Sequence, residues 1–222
     1  KDLEKRANGA KHIVFYSYWL SYVPISFARY KHTHKYTEHV FISRGHGTDI
    51  YTKDAGFYYP AREFVMNGLD MAFVISDYGA LYLLNKYPSI KGRVLVSRLG
   101  VEDNKCEHSN SNHIIRFVSC SSVIPLKRVS LIFSSIASYA KSHPTSAFEW
   151  IHFGDGPLIG ELRNKIKDSQ QNNLRVVLKG EAANSSILQF YKNNKMNIFI
   201  LLSVSEGIPV SIMEAISSCI PV

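Results

Sequence analysis

The chain has 222 residues, of which 45% are apolar and 20% charged, a balance that describes a folded globular protein and excludes an intrinsically disordered one. Its longest apolar runs, such as FILL at 199–202, fall far short of the roughly 20 residues a membrane-spanning helix needs, and no signal-peptide pattern opens it, so a cytosolic location is expected. The net charge of +8 is evenly spread: residues 1–110 hold 15 basic and 11 acidic side chains and residues 111–222 hold 11 and 7, so each half carries +4. Such a spread suits solubility alone, anionic small ligands or an anionic membrane surface. Nucleic acid draws a concentrated basic stripe and is not expected as a partner. Cys106, Cys120 and Cys219 are odd in number and widely spaced, which reads as reduced thiols and as neither a disulfide framework nor a zinc ribbon.

Strand-like runs alternate with helix-like segments, the pattern of parallel sheets covered by helices. In the first half, strands are expected at 12–18, 39–43, 71–76 and 93–97, with a helix from a capping Ser76 to Tyr87, ahead of Pro88. Residues 101–113, VEDNKCEHSNSNH, have almost no apolar side chain and read as a linker, dividing the chain into domains at 1–108 and 109–222. In the second half follow strand IIRFVS, a helix from about Lys127 to Lys141, strand FEWIHF, a helix after GDGP, strand LRVVLKG, a short helix near 184–192, strand NIFILLS and a last helix from Pro209, a doubly wound order. The chain starts at Lys1 and stops at CIPV, where IPV reads as the opening of another buried strand; a fragment of a longer protein is expected.

The last helix carries the chemistry. Pro209 suits a first helical turn and Gly207 permits close approach of a ligand to the backbone. Val210, Met213 and Ile216 or Ser217 follow the spacing of a buried face, whereas Ser211, Glu214 and Ser218 fall on another, so Glu214 is expected to point away from the core. Glu206 precedes the helix, and Glu214 stands roughly 7 to 8 Å along its axis from Pro209. A helix N-terminus binds anions and neighbouring carboxylates accept hydrogen bonds from hydroxyls, which together fit a phosphate joined to a sugar. Taken alone, the two carboxylates fit equally a dipole contact and a solvated side chain.

The run S-x-x-E-G-I-P-V-x-x-M-E-A at 203–215, followed by IPV, resembles the donor-binding signature of retaining glycosyltransferases of family 4, whose GT-B fold sets two Rossmann-like domains across a cleft. FVSCSSVIPLKRVSLIFSSIASY (117–139), EWIHFGDGPL (149–158) and VSRLGVE (96–102) resemble further family segments in the same order, and SRGHGTDIY (43–51) is similar to an acceptor-domain segment of a polysaccharide-building branch. The resemblance implies an α/β fold of two doubly wound parallel-sheet domains, the N-terminal one incomplete. It implies transfer of a hexose from a nucleotide-diphosphate sugar to a polysaccharide or lipid-linked saccharide acceptor, without metal or other cofactor. It places Glu206 on the donor-sugar hydroxyls, Glu214 on the ribose, and the backbone of Gly207, Ile208 and Pro209 along sugar and phosphate. Lys127 would neutralise the diphosphate and His46 would face the transferred sugar from the other domain; Gly180 and Glu181 fall near the base or ribose, or simply end a strand. The family often has an arginine where Ser121 or Ser122 stands here, and Arg128, one helical residue beyond Lys127, would point about 100° away. Retention is inferred to proceed by front-face departure and attack, with no protein nucleophile.

Other readings compete. GDGPLIG with Glu181 downstream invites a nicotinamide dinucleotide fingerprint, but its third glycine is one place late and Pro157 intrudes. His32, His34, His39 and Glu38 lack metal-ligand spacing, and no D-x-D pair is present to hold a diphosphate through a divalent ion. Tyr16, Tyr18, Trp19, Tyr22, Phe27 and Tyr30 read as core or, with Arg29, Lys31 and Lys35, as a face against an anionic membrane. A nucleotide-sugar binding protein without turnover is the alternative that the absent arginine favours.

Overall fold

The structure, a computed structural model, describes residues 12–34, 38–51, 61–104, 113–169 and 171–222. The chain divides into two compact units between Leu99 and Gly100. The expected boundary at 108/109 lies outside the described residues.

The first unit runs β1 (Val14–Ser17), α1 (Val23–Thr33), β2 (Val40–Gly45), α2 (Gly47–Ile50), α3 (Arg62–Gly68), β3 (Met71–Val74), α4 (Asp77–Lys86) and β4 (Val94–Val96). All four expected strands are present, and the Ser76 hydroxyl caps α4 by accepting from the Gly79 N–H at 3.1 Å. The sheet is parallel in the order β1-β2-β3-β4. Right-handed crossovers that always step the same way leave every helix on one face. Accordingly Phe15, Phe41, Ala72 and Val74 share a single core with Phe27 of α1, Val65 and Met66 of α3, and Leu83 of α4. The opposite face carries exposed Val14, Tyr16, Val40 and Leu95. Helices α1 and α3 touch closely enough that a Cβ on Gly68 would lie 2.4 Å from that of Ala28.

The second unit runs β5 (Ile114–Cys120), a 3-10 turn (Pro125–Lys127), α5 (Val129–Ser142), β6 (Ala147–Phe153), α6 (Ile159–Asp168), β7 (Leu174–Gly180), α7 (Asn184–Asn193), β8 (Ile198–Phe199) and α8 (Val210–Ser217). Its parallel sheet has the order β7-β6-β5-β8. Here the winding reverses: β5 to β7 step one way, then α7 returns the chain past them to β8. With right-handed crossovers the helices must then cover both faces. One core joins Ile132, Phe133 and Ile136 of α5 to Leu162 of α6; the other joins Ile187 and Tyr191 of α7 to Ala215 of α8. After α8, buried Ile220 leads the backbone beside β8, where the Phe199 N–H donates to the Pro221 carbonyl at 2.7 Å.

Between these cores a polar set is sealed in the sheet. Trp150 Nε1 donates to Ser119 Oγ at 2.9 Å, and Ser119 Oγ lies 2.8 Å from His152 Nδ1. Burial pushes the fully buried His152 imidazole down to about 4, opposed by a backbone contact from Ser121. From about pH 6.5 down to about 4 the unfolded chain therefore takes up a proton at this site that the folded chain does not, and stability falls with pH across that window. The expected loss from His152 is about 3 kcal/mol, measured as urea unfolding free energy at pH 7 and pH 4. His152→Phe should flatten that part of the profile; an unchanged pH slope in the variant would remove His152 as its source.

Candidate functional site

Where the strand order reverses, the loops leaving neighbouring strands diverge toward opposite faces, and the carboxyl ends of the strands frame a crevice. In the second unit this happens between β5 and β8. The β5 loop, residues 121–128, and the β8 loop, residues 200–209, are tied to each other by backbone and side-chain contacts. The Val204 N–H donates to the Leu126 carbonyl at 2.9 Å, Arg128 Nε to the Leu202 carbonyl at 2.6 Å, and Lys127 Nζ lies 2.5 Å from Glu206 Oε1. Two expected site residues 79 positions apart thus meet directly. The hydroxyls of Ser121 and Ser203, one from each loop, are buried and have no hydrogen-bond partner among the described residues. Ser122 beside them is exposed.

Two expectations about the β5 loop are corrected. Lys127 closes a 3-10 turn and the helix begins at Val129, two residues later than expected. Arg128 is not a second helical residue: it has φ +48°, a left-handed conformation uncommon for a side-chain-bearing residue. That turn swings its guanidinium onto the β8 loop, where Nη2 also lies 3.5 Å from the Ser203 carbonyl. Arg128 therefore ties the two loops together.

The GDGP turn forms the wall beside the β5 loop. Gly154 has φ +136°, and a Cβ there would sit 2.0 Å from the Ser121 carbonyl oxygen; at Gly156 it would sit 2.6 Å from that of Val123. The Val123 N–H donates to the Asp155 carbonyl at 2.9 Å, and the Val123 carbonyl accepts from the Leu158 N–H at 3.2 Å. Both glycines are needed for backbone to lie on backbone, which accounts for the motif without a dinucleotide.

Helix α8 starts at Val210, with Pro209 as its N-cap. The first-turn N–H groups have no carbonyl further up the helix to bond, so this end is a donor-rich, positive terminus. Gly207, Ile208 and Pro209 lead into it. The expected orientation of α8 is wrong in one respect: Glu214, Ala215 and Ser218 are buried, whereas Val210 and Ile216 are exposed. The helix turns its small residues toward the sheet because Ala215 must fit closely against the core of Val118, Tyr191 and Phe199. Glu214 is thereby drawn inward, 8% exposed, and its Oε1 accepts from Asn184 Nδ2 at 2.7 Å.

Around Glu214 lie groups the sequence did not single out. Burial, with the Glu214 charge adding to it, pushes the Cys120 thiol up to about 11, so it stays protonated. The Tyr191 phenol is raised by burial first, then by Cys120 and Glu214, and its hydroxyl has no partner among the described residues. Asn184 was legible only as a helix start. Gly180 and Glu181 end β7, the edge strand, where the Gly180 carbonyl accepts from the Gly154 N–H at 2.7 Å and Gly180 has φ +71°. Gly180 thus braces the GDGP turn, and Glu181 after it is exposed.

His46 belongs to the first unit, immediately after β2. It is 7% exposed, with its ring 4.7 Å from that of Tyr18 and 4.4 Å from that of Trp19. Its N–H donates to Asp49 Oδ1 at 2.5 Å, but the ring Nδ1 stands 3.9 Å from Asp49 Oδ2, beyond hydrogen-bond range. Burial lowers its pKa, the Asp49 carboxylate acting in the opposite sense, so the imidazole is neutral at pH 7. Among the described residues no three His, Cys, Asp or Glu side chains are grouped as a metal site would require, and no helix is long and apolar enough to cross a membrane.

No protein-family profile matches the chain, and no curated protein matches it. Solved structures do. The pneumococcal O-GlcNAc transferase GtfA, crystallised with UDP and GlcNAc, is similar over 83% of this chain and 37% of its own, with 20% identity and a TM-score of 0.66. TarM of S. aureus, crystallised with fondaparinux, α-GlcNAc-glycerol and UDP, is similar over 83% of this chain and 36% of its own, with 18% identity and a TM-score of 0.60. The lipopolysaccharide outer core galactosyltransferase WaaB is similar over 99% of this chain and 58% of its own, with 15% identity and a TM-score of 0.64. The chain spans between about a third and three fifths of the length of these proteins. Its fold is that of the GT-B glycosyltransferases.

The wall beside the β5 loop gives a direct test. Gly156→Ala should destabilise the protein by about 1 to 3 kcal/mol through forced backbone displacement. Gly160→Ala in α6, where a Cβ meets nothing within 4 Å, should be neutral or stabilising by up to about 1 kcal/mol. Equal melting temperatures for the two variants would contradict the close approach.

Proposed function

We propose that the chain carries the nucleotide-sugar site of a retaining hexosyltransferase of the family 4 type, passing a hexose to a polysaccharide or lipid-linked saccharide acceptor. The observation that carries this reading is the meeting of Lys127 and Glu206 at the strand-order reversal, beside the N-terminus of α8. A donor diphosphate is a stronger partner for the ammonium than a single carboxylate. Taking Lys127 for itself, it frees Glu206 to accept hydrogen bonds from sugar hydroxyls. Negative charge grows on the leaving nucleoside diphosphate as the anomeric bond breaks, so the lysine and the α8 N–H groups stabilise that state more than the ground state. Glu214, held by Asn184, accepts the ribose hydroxyls. The buried, unpartnered hydroxyls of Ser121 and Ser203 are further donors at the same crevice. The leaving phosphate, and no protein nucleophile, assists deprotonation of the acceptor hydroxyl.

A second reading, binding without turnover, draws on Arg128. No arginine stands at Ser121 or Ser122, and the neighbouring guanidinium is committed to the carbonyls of Leu202 and Ser203. One cation, Lys127, is then left for the diphosphate from this loop.

Thermal-shift titration with uridine, guanosine and adenosine diphosphate sugars separates these readings when joined to a sugar-release assay. One nucleotide should raise the melting temperature, and Glu214→Ala should abolish the rise; an equal response from that variant would remove the ribose role. Lys127→Ala should lower the rate of sugar release by about a hundredfold to a thousandfold, the loss typical of one fixed donor to a developing anion. Binding without any sugar release by the wild-type protein would favour the second reading.

A further inference from the structure

We propose that Asn184 is a positioning residue of the nucleotide pocket: it aims the Glu214 carboxylate so that the site takes a ribonucleoside diphosphate and rejects one that lacks the ribose hydroxyls. The inference deepens the donor reading above and rests on its assignment of Glu214 to the ribose.

An asparagine at a helix start ordinarily serves its own helix, as a cap or in a local turn. Asn184 is used differently. It is the first residue of α7, and Ala183 stands at the N-cap position without a side-chain cap hydrogen bond among the described residues. The Asn184 amide reaches instead to α8, 30 positions further along the chain, where Nδ2 donates to Glu214 Oε1 at 2.7 Å. A carboxylate only accepts, so the nitrogen side of the amide is the side that faces it.

Packing makes the aim definite. Asn184, Ile187 and Tyr191 follow the spacing of one helical face. Ile187 and Tyr191 share a core with Ala215, the neighbour of Glu214, so α7 and α8 are fixed against each other at this point. Asn184 sits at the exposed end of that face, while Glu214 lies at depth. Cys120 and Tyr191, which burial keeps neutral, are the polar groups whose titration feels the Glu214 charge. Neither offers the carboxylate a charge of its own.

A glutamate side chain loses much rotamer freedom when it is held in one orientation. A carboxylate free to turn would have to be ordered by the nucleotide, at a cost in affinity; one already held binds more tightly. Asn184 does that holding before the ligand arrives. With Oε1 engaged by the amide, the acceptor positions that remain on the carboxylate are set in direction for the ribose. A site built to bond hydroxyls rejects the analogue without them, because its buried polar group is then left unmatched.

The test measures binding of uridine, guanosine and adenosine diphosphates, and of their 2′,3′-dideoxy analogues, to the whole chain by isothermal titration calorimetry. The wild-type protein should bind at least one ribonucleotide about a hundredfold more tightly than its dideoxy analogue. Asn184→Ala should bind that ribonucleotide about tenfold more weakly and the dideoxy analogue as the wild type does. Asn184→Asp, which keeps the size but lacks the N–H donor, should show the same reduced ratio. A residue that merely braced the fold would weaken both nucleotides alike and tolerate the isosteric change. The proposal is overturned if either variant keeps the wild-type ratio. If Glu214→Ala loses that ratio while both Asn184 variants keep it, the donor reading stands and Asn184 has no positioning role. If the wild-type protein binds none of these nucleotides, or binds each ribonucleotide and its analogue equally, the ribose assignment falls and this inference with it.

Discussion

The handedness of the crossover between parallel strands is the constraint on which the second unit depends. A right-handed connection leaves a helix on one face when the chain steps one way across the sheet and on the other face when it steps back. The return from β7 to β8 past β5 and β6 therefore gives that sheet two helical layers. It also parts the loops that follow β5 and β8. Lys127, Glu206 and the start of α8 meet because of this reversal, and nothing in their own chemistry would otherwise bring them together. The first unit shows the contrast: its strands step in one direction, and all its helices among the described residues share one core.

The electrostatics at the reversal contribute little to stability. Lys127 and Glu206 are partly exposed, and pairs of that kind contribute roughly 0 to 1 kcal/mol at most. A contact so weak in itself gives way readily to a more highly charged ligand. Glu214 is the opposite case. A carboxylate 8% exposed, with Asn184 as its amide donor, sits near a protonated thiol and a phenol that has no partner among the described residues, an arrangement a core alone would not select. Two glutamates eight residues apart thus hold different physical positions, one at the rim and one at depth, which suits groups that would hold different parts of one extended ligand.

In the first unit a buried polar network holds the backbone beneath the half-exposed rings of Tyr18 and Trp19. Asp49 is buried and accepts from the backbone of both Leu20 and His46, linking the loops after β1 and β2. Arg62 completes the link through the carbonyls of Leu20 and Asp49. The aromatic rings above this network are thereby presented on a backbone with little freedom to retract.

Much was legible in the sequence because it is written locally. The eight described strands follow their apolar runs, α4 follows its serine cap, and the doubly wound order of the second half follows from the alternation of strand and helix lengths. The start of α8 and the place of Glu206 just before it were readable because turn residues and a helix start announce themselves over a few positions, whereas Lys127 was singled out by the family resemblance alone. Periodicity failed on α8: apolar spacing put Val210 and Ile216 inside, yet the sheet admits the small residues Ala215 and Ser218, since closeness of packing outweighs side-chain hydrophobicity there. Arg128 could not be read either, because its left-handed backbone is set by the turn that closes the β5 loop and by carbonyls 74 and 75 residues away. The sequence by itself determined which segments are strands and helices and which carboxylates and cations were available. Only tertiary structure decided which of them meet, because contacts across a strand reversal join residues whose separation along the chain carries no local signal.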